Sequence, residues 1–579
     1  MINQLSWKVG GQQGEGIEST GEIFAITLNR LGYYLYGYRH FSSRIKGGHT
    51  NNKIRVSTSQ VRSISDDLDI LVAFDQETID LNFHELRDGG VVIADSKFNP
   101  SIPENSKVTF YSVPFTEIAT ELGTSLMKNM VAVGASSAVL ELDTESFREV
   151  VEEIFGRKGQ QVVDKNMEAI QKGYEYIKEQ AGSSLSTMQL EKADGKKRLF
   201  MIGNDAIAMG FIAGGCRFMP AYPITPASEI MEYLIKRLPE FGGTVIQTED
   251  EIAAVTMAIG ANYGGVRAIT ASSGPGLSLM MEAIGLSGMT ETPLVIVNTQ
   301  RGGPSTGLPT KVEQSDLMAM IYGTHGDIPK VVLAPSTVQE AFYDAIEALN
   351  IAEEYQVPVI LLTDLQISLG KQTVEPLDYS NIEIRRGKFD LHAELPDPGA
   401  DENFKRYLVT EDGISPRTVP GMKNGLHHMT GVEHNEIGRP SEAAKNRQAQ
   451  MDKRLRKLNN LKLKNAVHKN AKHDEADVLV IGFNSTRGGI EEAMARLEND
   501  GVKVNHAQIR LIHPFPTEEI QPLVDSAKKV VVVEHNGTAQ LTQILKLNVG
   551  NHNKVESVLK YDGNPFLPSE IYNRIKELL

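Results

Sequence analysis

Residues 244–300 read TVIQTEDEIAAVTMAIGANYGGVRAITASSGPGLSLMMEAIGLSGMTETPLVIVNTQ. The apolar runs at 244–247, 267–272 and 294–299 have strand length, and the segments between them, 251–263 and 277–288, are long enough for at least three helical turns. Strands separated by such helices run in the same direction, so the stretch predicts a parallel sheet covered on both faces. The rhythm extends outward. Strand 198–203, helix 205–215, a proline-punctuated turn at 221–226 and helix 228–238 come before it, and strands 330–335 and 357–364 come after. One doubly wound domain, 198–375, is expected.

Residues 1–180 read as a separate α/β domain, with strand runs at 5–9, 70–74, 91–93 and 108–111 and a helix from Ile17 to Arg30. Residues 181–197 are small, polar and without sustained period, which predicts a linker. Residues 376–474 break the α/β rhythm, are rich in Pro, Gly, His and charge, and end in a basic run at 452–473. A segment of this kind is either a functional wrap or flexible. The basic run is expected to be a solvated helix or linker, with a docking surface for a partner as the alternative. A third α/β domain, 475–579, opens with VLVIGFNS at 478–485. The predicted fold class is therefore α/β with three domains.

The chain has 579 residues, about four times the ~150 of a usual domain, which excludes a single compact core. Hydrophobic residues are 41% and charged residues 23%, a globular rather than disordered composition. No apolar run reaches the ~18 residues of a membrane span, and MINQLSWKVG lacks the basic and apolar regions of a secretory signal. A cytoplasmic protein is expected. A net charge of −15 argues against a nucleic-acid surface. The single cysteine, Cys216, excludes a disulfide framework and any iron–sulfur cluster held by four cysteines of this chain.

Several turns carry chemistry. Gly10-Gly11-Gln-Gln-Gly14-Glu-Gly16 lies between a strand and a helix, as a tight turn or an anion contact; Ser19 holds the third glycine place of G-x-G-x-x-G, so a nicotinamide fingerprint fails. Residues 38–49 set three cations, Lys46 among them, beside a glycine pair, which fits a carboxylate or phosphate or, more simply, a solvated loop. In Ala221-Tyr-Pro-Ile-Thr-Pro, Tyr222 and Thr225 each precede a proline and are pushed toward extended conformations. Thr225 is expected as N-cap and Pro226 as first helical residue, either as a cap alone or as a rigid turn offering the Thr225 hydroxyl to an anion. Glu249-Asp250-Glu251 opens a helix of small and apolar residues. Helix capping needs fewer than three acids, leaving one available for proton transfer. Ser272-Ser273-Gly274-Pro275-Gly276 permits close backbone approach. Arg301, at a strand end followed by glycines, is placed to hold a carboxylate by two hydrogen bonds.

Taken together, YPITPASE, TEDEIAAVTMAIGA, ASSGPGLSLM and NTQRGGPSTGLPT, in this order, resemble the α subunit of 2-oxoacid:ferredoxin oxidoreductases. GGQQGEGI and SRIKGGHTNN resemble that family's γ unit, here fused ahead of the α unit, and IRLIHPFP with VVVVEHN resembles a transketolase C-terminal-type domain. The resemblance implies oxidative decarboxylation of a 2-oxoacid with coenzyme A to acyl-CoA, CO2 and reduced ferredoxin, using thiamine diphosphate. It implies that Glu251 hydrogen-bonds the thiamine aminopyrimidine, with Ser273 and Gly274 beside the cofactor. Thr225, with Tyr222 in the same turn, and Arg301 would bind the substrate's oxo and carboxylate groups. Thr310 would touch its variable end, and Lys46 its distal carboxylate or coenzyme A. The chain contains no Gly-Asp-Gly segment for magnesium and diphosphate. Magnesium, diphosphate and a 4Fe-4S cluster are therefore expected on a β subunit, in an (αβ)2 assembly that also engages ferredoxin, with no nucleic-acid or membrane partner. The form of the QRGGPSTGLPT stretch and the γ–α fusion favour 2-oxoglutarate, with a pyruvate-using or broad-specificity enzyme as the alternative. A thiamine-dependent 2-oxoacid dehydrogenase component and a non-catalytic assembly subunit are the competing classes.

Overall fold

Trp7 and Val9 on the strand Gln4–Gln12 are buried in one core with Phe24 and Leu28 of helix α1 (Ile17–Arg30), the helix that the sequence places at those residues. The Trp7 and Phe24 rings stack at 4.3 Å. The computed structural model describes residues 1–41, 48–182, 185, 187–399 and 403–579, so Lys46 lies outside the described residues. The chain divides into two compact units, the first made of Met1–Met201, Leu369–Pro376 and Leu567–Glu570, the second of Ile202–Ser368, Leu377–Phe566 and Ile571–Leu579.

The first unit is built on an eight-stranded mixed sheet in the order Thr109–Val113, Leu86–Asp95, Leu68–Ala73, Gln4–Gln12, His49–Ser57, Tyr34–His40, Gln372–Val374, Leu199–Met201. The first four strands are parallel and the others join antiparallel. Two sequence expectations change here. The strand expected to open the second domain, Leu199–Met201, instead closes this sheet by pairing with Gln372–Val374. Both segments are three residues long, so their place is decided by a backbone ladder that leaves no side-chain pattern. The segment expected as a linker is anchored: Met188 and Leu190 are buried in the first core, and the Met188 N–H donates to the Val139 carbonyl at 2.8 Å. Two apolar residues in a polar stretch are enough to fasten it.

The second unit contains the parallel sheet that the opening stretch predicts. Ile269–Ser272, Leu294–Gln300, Pro358–Asp364 and Val331–Leu333 run parallel, and Leu511–His513 adds an antiparallel edge. Phe218–Ala221 and Thr244–Gln247 pair in parallel, joined to this sheet by a bridge from Phe218 to Ala268. Leu294, Ile296, Ile360 and Leu362 enter one core, and Val295, Val297, Val359 and Leu361 enter another. That alternation is the signature of a sheet buried on both faces. Helix α2 (Ser228–Arg237) packs in the second of these cores, and helices α3 (Glu251–Tyr263) and α4 (Gly274–Thr290) pack in the first.

A second sheet, Val467–Asn470, Val504–Ile509, Ala476–Gly482, Ala527–Glu534 and Val555–Leu559, forms the C-terminal part. Its Leu479, Ile481, Ala507 and Ile509 share a core with Val255, Leu277 and Ile296. The expected second and third domains therefore close as one compact unit, and IRLIHPFP supplies an edge strand to the preceding sheet.

The basic run is solvated only in its later part, where Lys462, Lys464, Lys469 and Lys472 are exposed. At its start, helix α5 (Ala444–Arg456), which leads into the run, and the residues after it bury Lys453, Arg454 and Lys457. Lys453 Nζ lies 2.6 Å from Glu291 Oε1 and Lys457 Nζ 2.7 Å from Glu291 Oε2, while Arg454 pairs with Glu433 at 2.6 Å. Glu291 caps the C-terminal end of α4, where the helix dipole favours cations. The long stems of the lysines bury readily once their charged heads have such a partner.

Candidate active site

The turns singled out in the sequence lie at the carboxyl ends of parallel strands, where open α/β sheets bind ligands. Strand Phe218–Ala221 runs into the Tyr222–Pro226 turn, Ile269–Ser272 into the head of α4, and Leu294–Gln300 into Arg301. The Tyr222–Pro226 turn departs from expectation. The Thr225–Pro226 peptide is cis and α2 starts at Ser228 with Ala227 as its N-cap. The Ala227 N–H donates to the Ile224 carbonyl at 2.8 Å, so a tight turn occupies the positions where Thr225 was expected to cap. The Thr225 side chain is exposed, and Tyr222 is 38% exposed.

Among the three acids, the roles separate. Asp250 is the cap, accepting from the Ala253 N–H at 2.7 Å. Glu249 is exposed. Glu251 heads α3 and is 7% exposed; its carboxylate makes no hydrogen bond or ion pair among the described residues. It lies against Gly276 in the first turn of α4. A Cβ there would stand 2.7 Å from Glu251 Cγ, 2.8 Å from Glu251 Oε1 and 2.0 Å from Ser272 Oγ. Glycine is required at this point by close approach, since even a methyl group would displace its neighbours.

Ser273 donates its hydroxyl to the Thr299 carbonyl at 2.8 Å, binding the turn to the next strand and leaving its backbone to face the head of α4. Gly274 lies against the Asp316 carboxylate, whose oxygens would stand 3.1 and 3.2 Å from a Cβ. Arg301, 7% exposed, reaches back to the proline-braced turn. Its Nη1 donates to the Thr225 carbonyl at 2.5 Å and its Nη2 to the Thr306 carbonyl at 3.4 Å, while Nε is buried without a partner among the described residues. Burial holds the guanidinium below its ordinary pKa range, with Asp316 opposing that shift. Thr310, partly buried, is on the loop that leaves Arg301 and folds back, Gly302 N–H donating to the Lys311 carbonyl at 3.1 Å.

The structure thus gathers Glu251, Ser273, Gly274, Arg301 and the Thr225 carbonyl around one strand-to-helix turn. Three residues of this neighbourhood, Asn298, Gln300 and Asp316, were given no role from sequence. Asn298 donates to Asp316 Oδ2 at 3.0 Å, and the Asp316 N–H donates to Gln300 at 3.1 Å. Burial raises the pKa of the Asp316 carboxyl against the lowering effects of Asn298 and Arg301. Ser272 and Gly276, the ends of the close-approach turn singled out in the sequence, complete the neighbourhood. One signal was present: Asn298 and Gln300 stand two residues apart in the polar end, Asn298-Thr299-Gln300, of a strand that is apolar before it, which aims both at one face.

In the first unit the glycine cluster is a tight turn, with Gly14 and Gly16 at φ +100° and +82°. It borders a cavity of about 260 Å³ lined by Gly14, Gly16, Arg39, Asn51 and Asn52 among others. Among the described residues no group of three or more His, Cys, Asp or Glu is arranged to hold a metal ion, and no helix is long and apolar enough to cross a membrane.

Sequence models of three families match the chain in succession. They are pyruvate ferredoxin/flavodoxin oxidoreductase over residues 6–176, the thiamine diphosphate-binding pyruvate flavodoxin/ferredoxin oxidoreductase over 209–453, and pyruvate:ferredoxin oxidoreductase core domain II over 476–571. A 2-oxoacid:ferredoxin oxidoreductase subunit alpha from Sulfolobus is 35% identical, covering 98% of this chain and 96% of the relative. The 2-oxoglutarate oxidoreductase subunit KorA of Mycobacterium tuberculosis is 32% identical over 99% of this chain and 91% of its own. A solved 2-oxoglutarate:ferredoxin oxidoreductase from Magnetococcus marinus, with 2-oxoglutarate, coenzyme A and succinyl-CoA bound, matches all of both chains at 36% identity and a TM-score of 0.92.

Proposed function

Because this chain belongs to the family of 2-oxoacid:ferredoxin oxidoreductase α subunits, we propose that it takes 2-oxoglutarate as its preferred substrate and supplies the aminopyrimidine half of a thiamine diphosphate site that a β subunit completes. The observation that carries the second part is the outer face of the two helices that head the site. Both α3 and α4 are rich in apolar and small residues, a composition that belongs to buried helices. Yet Ile252 is 48% exposed, Met257 38% and Leu279 52%. An apolar face beside a candidate active site is a surface for a partner. The partner consistent with a chain of one cysteine is the subunit that carries diphosphate, magnesium and the 4Fe-4S cluster, assembled as (αβ)2.

The residues present fit the cofactor's pyrimidine end: among the described residues the Glu251 carboxylate has no partner, and Gly276, having no side chain, lets it lie close against the head of α4. When bound, thiamine diphosphate supplies the electron sink that decarboxylation of a 2-oxoacid needs. Glu251 holds a proton-bearing contact at the pyrimidine ring. Arg301, with Nε unpartnered, receives the substrate carboxylate, and its hold on the Thr225 carbonyl fixes the turn that offers the Thr225 hydroxyl and Tyr222. Ser273 and Gly274 give backbone contact at the head of α4. Thr310 meets the far end of the substrate, and Lys46, known here from sequence alone, its distal carboxylate or coenzyme A.

Support for 2-oxoglutarate comes from the names of the Magnetococcus and Mycobacterium relatives. The Sulfolobus relative, named for 2-oxoacids at large, supports the broad-specificity reading in second place. Replacing Glu251 by Gln tests the site: the α–β complex should still assemble while 2-oxoacid-dependent dye reduction falls at least ~100-fold. Near-normal turnover of that variant would remove Glu251 from the mechanism.

A further inference from the structure

The Ser272 hydroxyl is buried and has no hydrogen-bond partner among the described residues. Native interiors rarely leave such a group unsatisfied, and the exceptions cluster where a partner arrives during function. Its surroundings narrow the identity of that partner. Ser272 is the last residue of strand Ile269–Ser272, and its Oγ and Glu251 Oε1 crowd the same side of Gly276, 2.0 and 2.8 Å from where a Cβ would stand. The neighbouring hydroxyls are already committed, Ser273 to the Thr299 carbonyl and Thr248 to the Asp250 carbonyl at 2.8 Å each. The N-cap role is filled by Asp250. Among the described residues Ser272 is thus a donor without an acceptor beside Glu251, an acceptor without a donor, and the missing side chain of Gly276 lets both pack closely against the same turn of α4.

We propose that Ser272 is a positioning residue for Glu251, donating a hydrogen bond to one carboxylate oxygen while the other faces the thiamine aminopyrimidine. A carboxylate has lone pairs on both oxygens; fixing one of them orients the other. The inference rests on the reading of Glu251 given above, and it assigns Ser272 no contact with the substrate.

The test uses the α–β complex stripped of cofactor and titrated with thiamine diphosphate by calorimetry, in the wild type, Ser272→Ala, Glu251→Gln and the double variant. Loss of a hydrogen bond to a charged group is expected to weaken cofactor binding about ten-fold in Ser272→Ala. The KM for the 2-oxoacid at saturating cofactor should stay unchanged. Because Ser272 acts through Glu251, the double variant should bind no more weakly than Glu251→Gln alone, the non-additivity of two groups in one interaction. Wild-type cofactor affinity in Ser272→Ala, or additive losses in the double variant, would overturn the inference and leave the role of Glu251 standing. Wild-type affinity in Glu251→Gln would overturn both.

Discussion

Gly276 has no room for a methyl group: a Cβ would stand 2.7 Å from Glu251 Cγ and nearer still to Ser272 Oγ. Both neighbours are side chains, so Gly276→Ala should fold and instead push the Glu251 carboxylate out of line. The expected result is at least about ten-fold weaker thiamine diphosphate binding, since sub-ångström misplacement of a catalytic group is costly, with a melting temperature close to wild type. Unchanged cofactor affinity would show that Glu251 does not depend on this cradle. Arg301→Lys makes a separate point. A lysine offers one point charge where the guanidinium spans the Thr225 and Thr306 carbonyls and keeps Nε unpartnered. The KM for the 2-oxoacid should rise ~10-fold or more while cofactor binding is retained. Glu251 and Arg301 were legible in the sequence because each stands at a strand or helix end in an unusual local pattern. Asn298 and Asp316 were not, since they meet only once the turns converge, and Ser272 was legible as part of a close-approach turn but not as an unpartnered hydroxyl. Thr225 misled because a residue before proline was read as a cap, whereas the turn that follows delays α2 to Ser228.

At the scale of elements, α5 and the residues after it hold the far end of α4, the helix whose head forms the candidate site. Glu291 receives Lys453 and Lys457, and its carbonyl accepts from Arg406 Nη2 at 2.7 Å. Burial pushes the Glu291 carboxyl up, but Lys457, Lys453 and Arg406 outweigh it and hold the pKa below the ordinary carboxylate value. A carboxyl depressed in the folded state contributes stability that is present above its unfolded value, 4.5, and is lost as pH falls through its folded value. Wild-type thermal stability should therefore fall on acidification below pH 4.5 more steeply than that of Glu291→Gln. At neutral pH that variant, which leaves two buried lysines facing one neutral amide, should lose about 3–5 kcal/mol in denaturant titration. A loss within experimental scatter would mean the cluster is solvated in solution. The sequence shows the basic run but not its burial. Periodicity registers apolar residues, and here the buried face of the element is made of lysine and arginine stems with a carboxylate from a residue far away in the chain.

At the scale of the whole molecule, the α/β class and the parallel sheet at 244–300 were legible because strand and helix lengths alternate cleanly there. The packing of elements across the expected boundaries was not. Three-residue strands at 199–201 and 372–374 return to the first sheet, and the C-terminal sheet shares an apolar core with α3 and α4; neither leaves a local trace. The exposed apolar faces of α3 and α4 make the central claim a claim about assembly, namely that this α subunit carries half of a site and is inactive until a β subunit covers it. The most direct test is CoA-dependent ferredoxin reduction measured for the purified chain, its β subunit and the reconstituted complex, with 2-oxoglutarate, pyruvate and 2-oxobutyrate side by side. The account predicts no turnover by either subunit alone and turnover by the complex, with the highest kcat/KM for 2-oxoglutarate. Turnover by this chain without its partner, or a complex inactive toward all three acids, would contradict it.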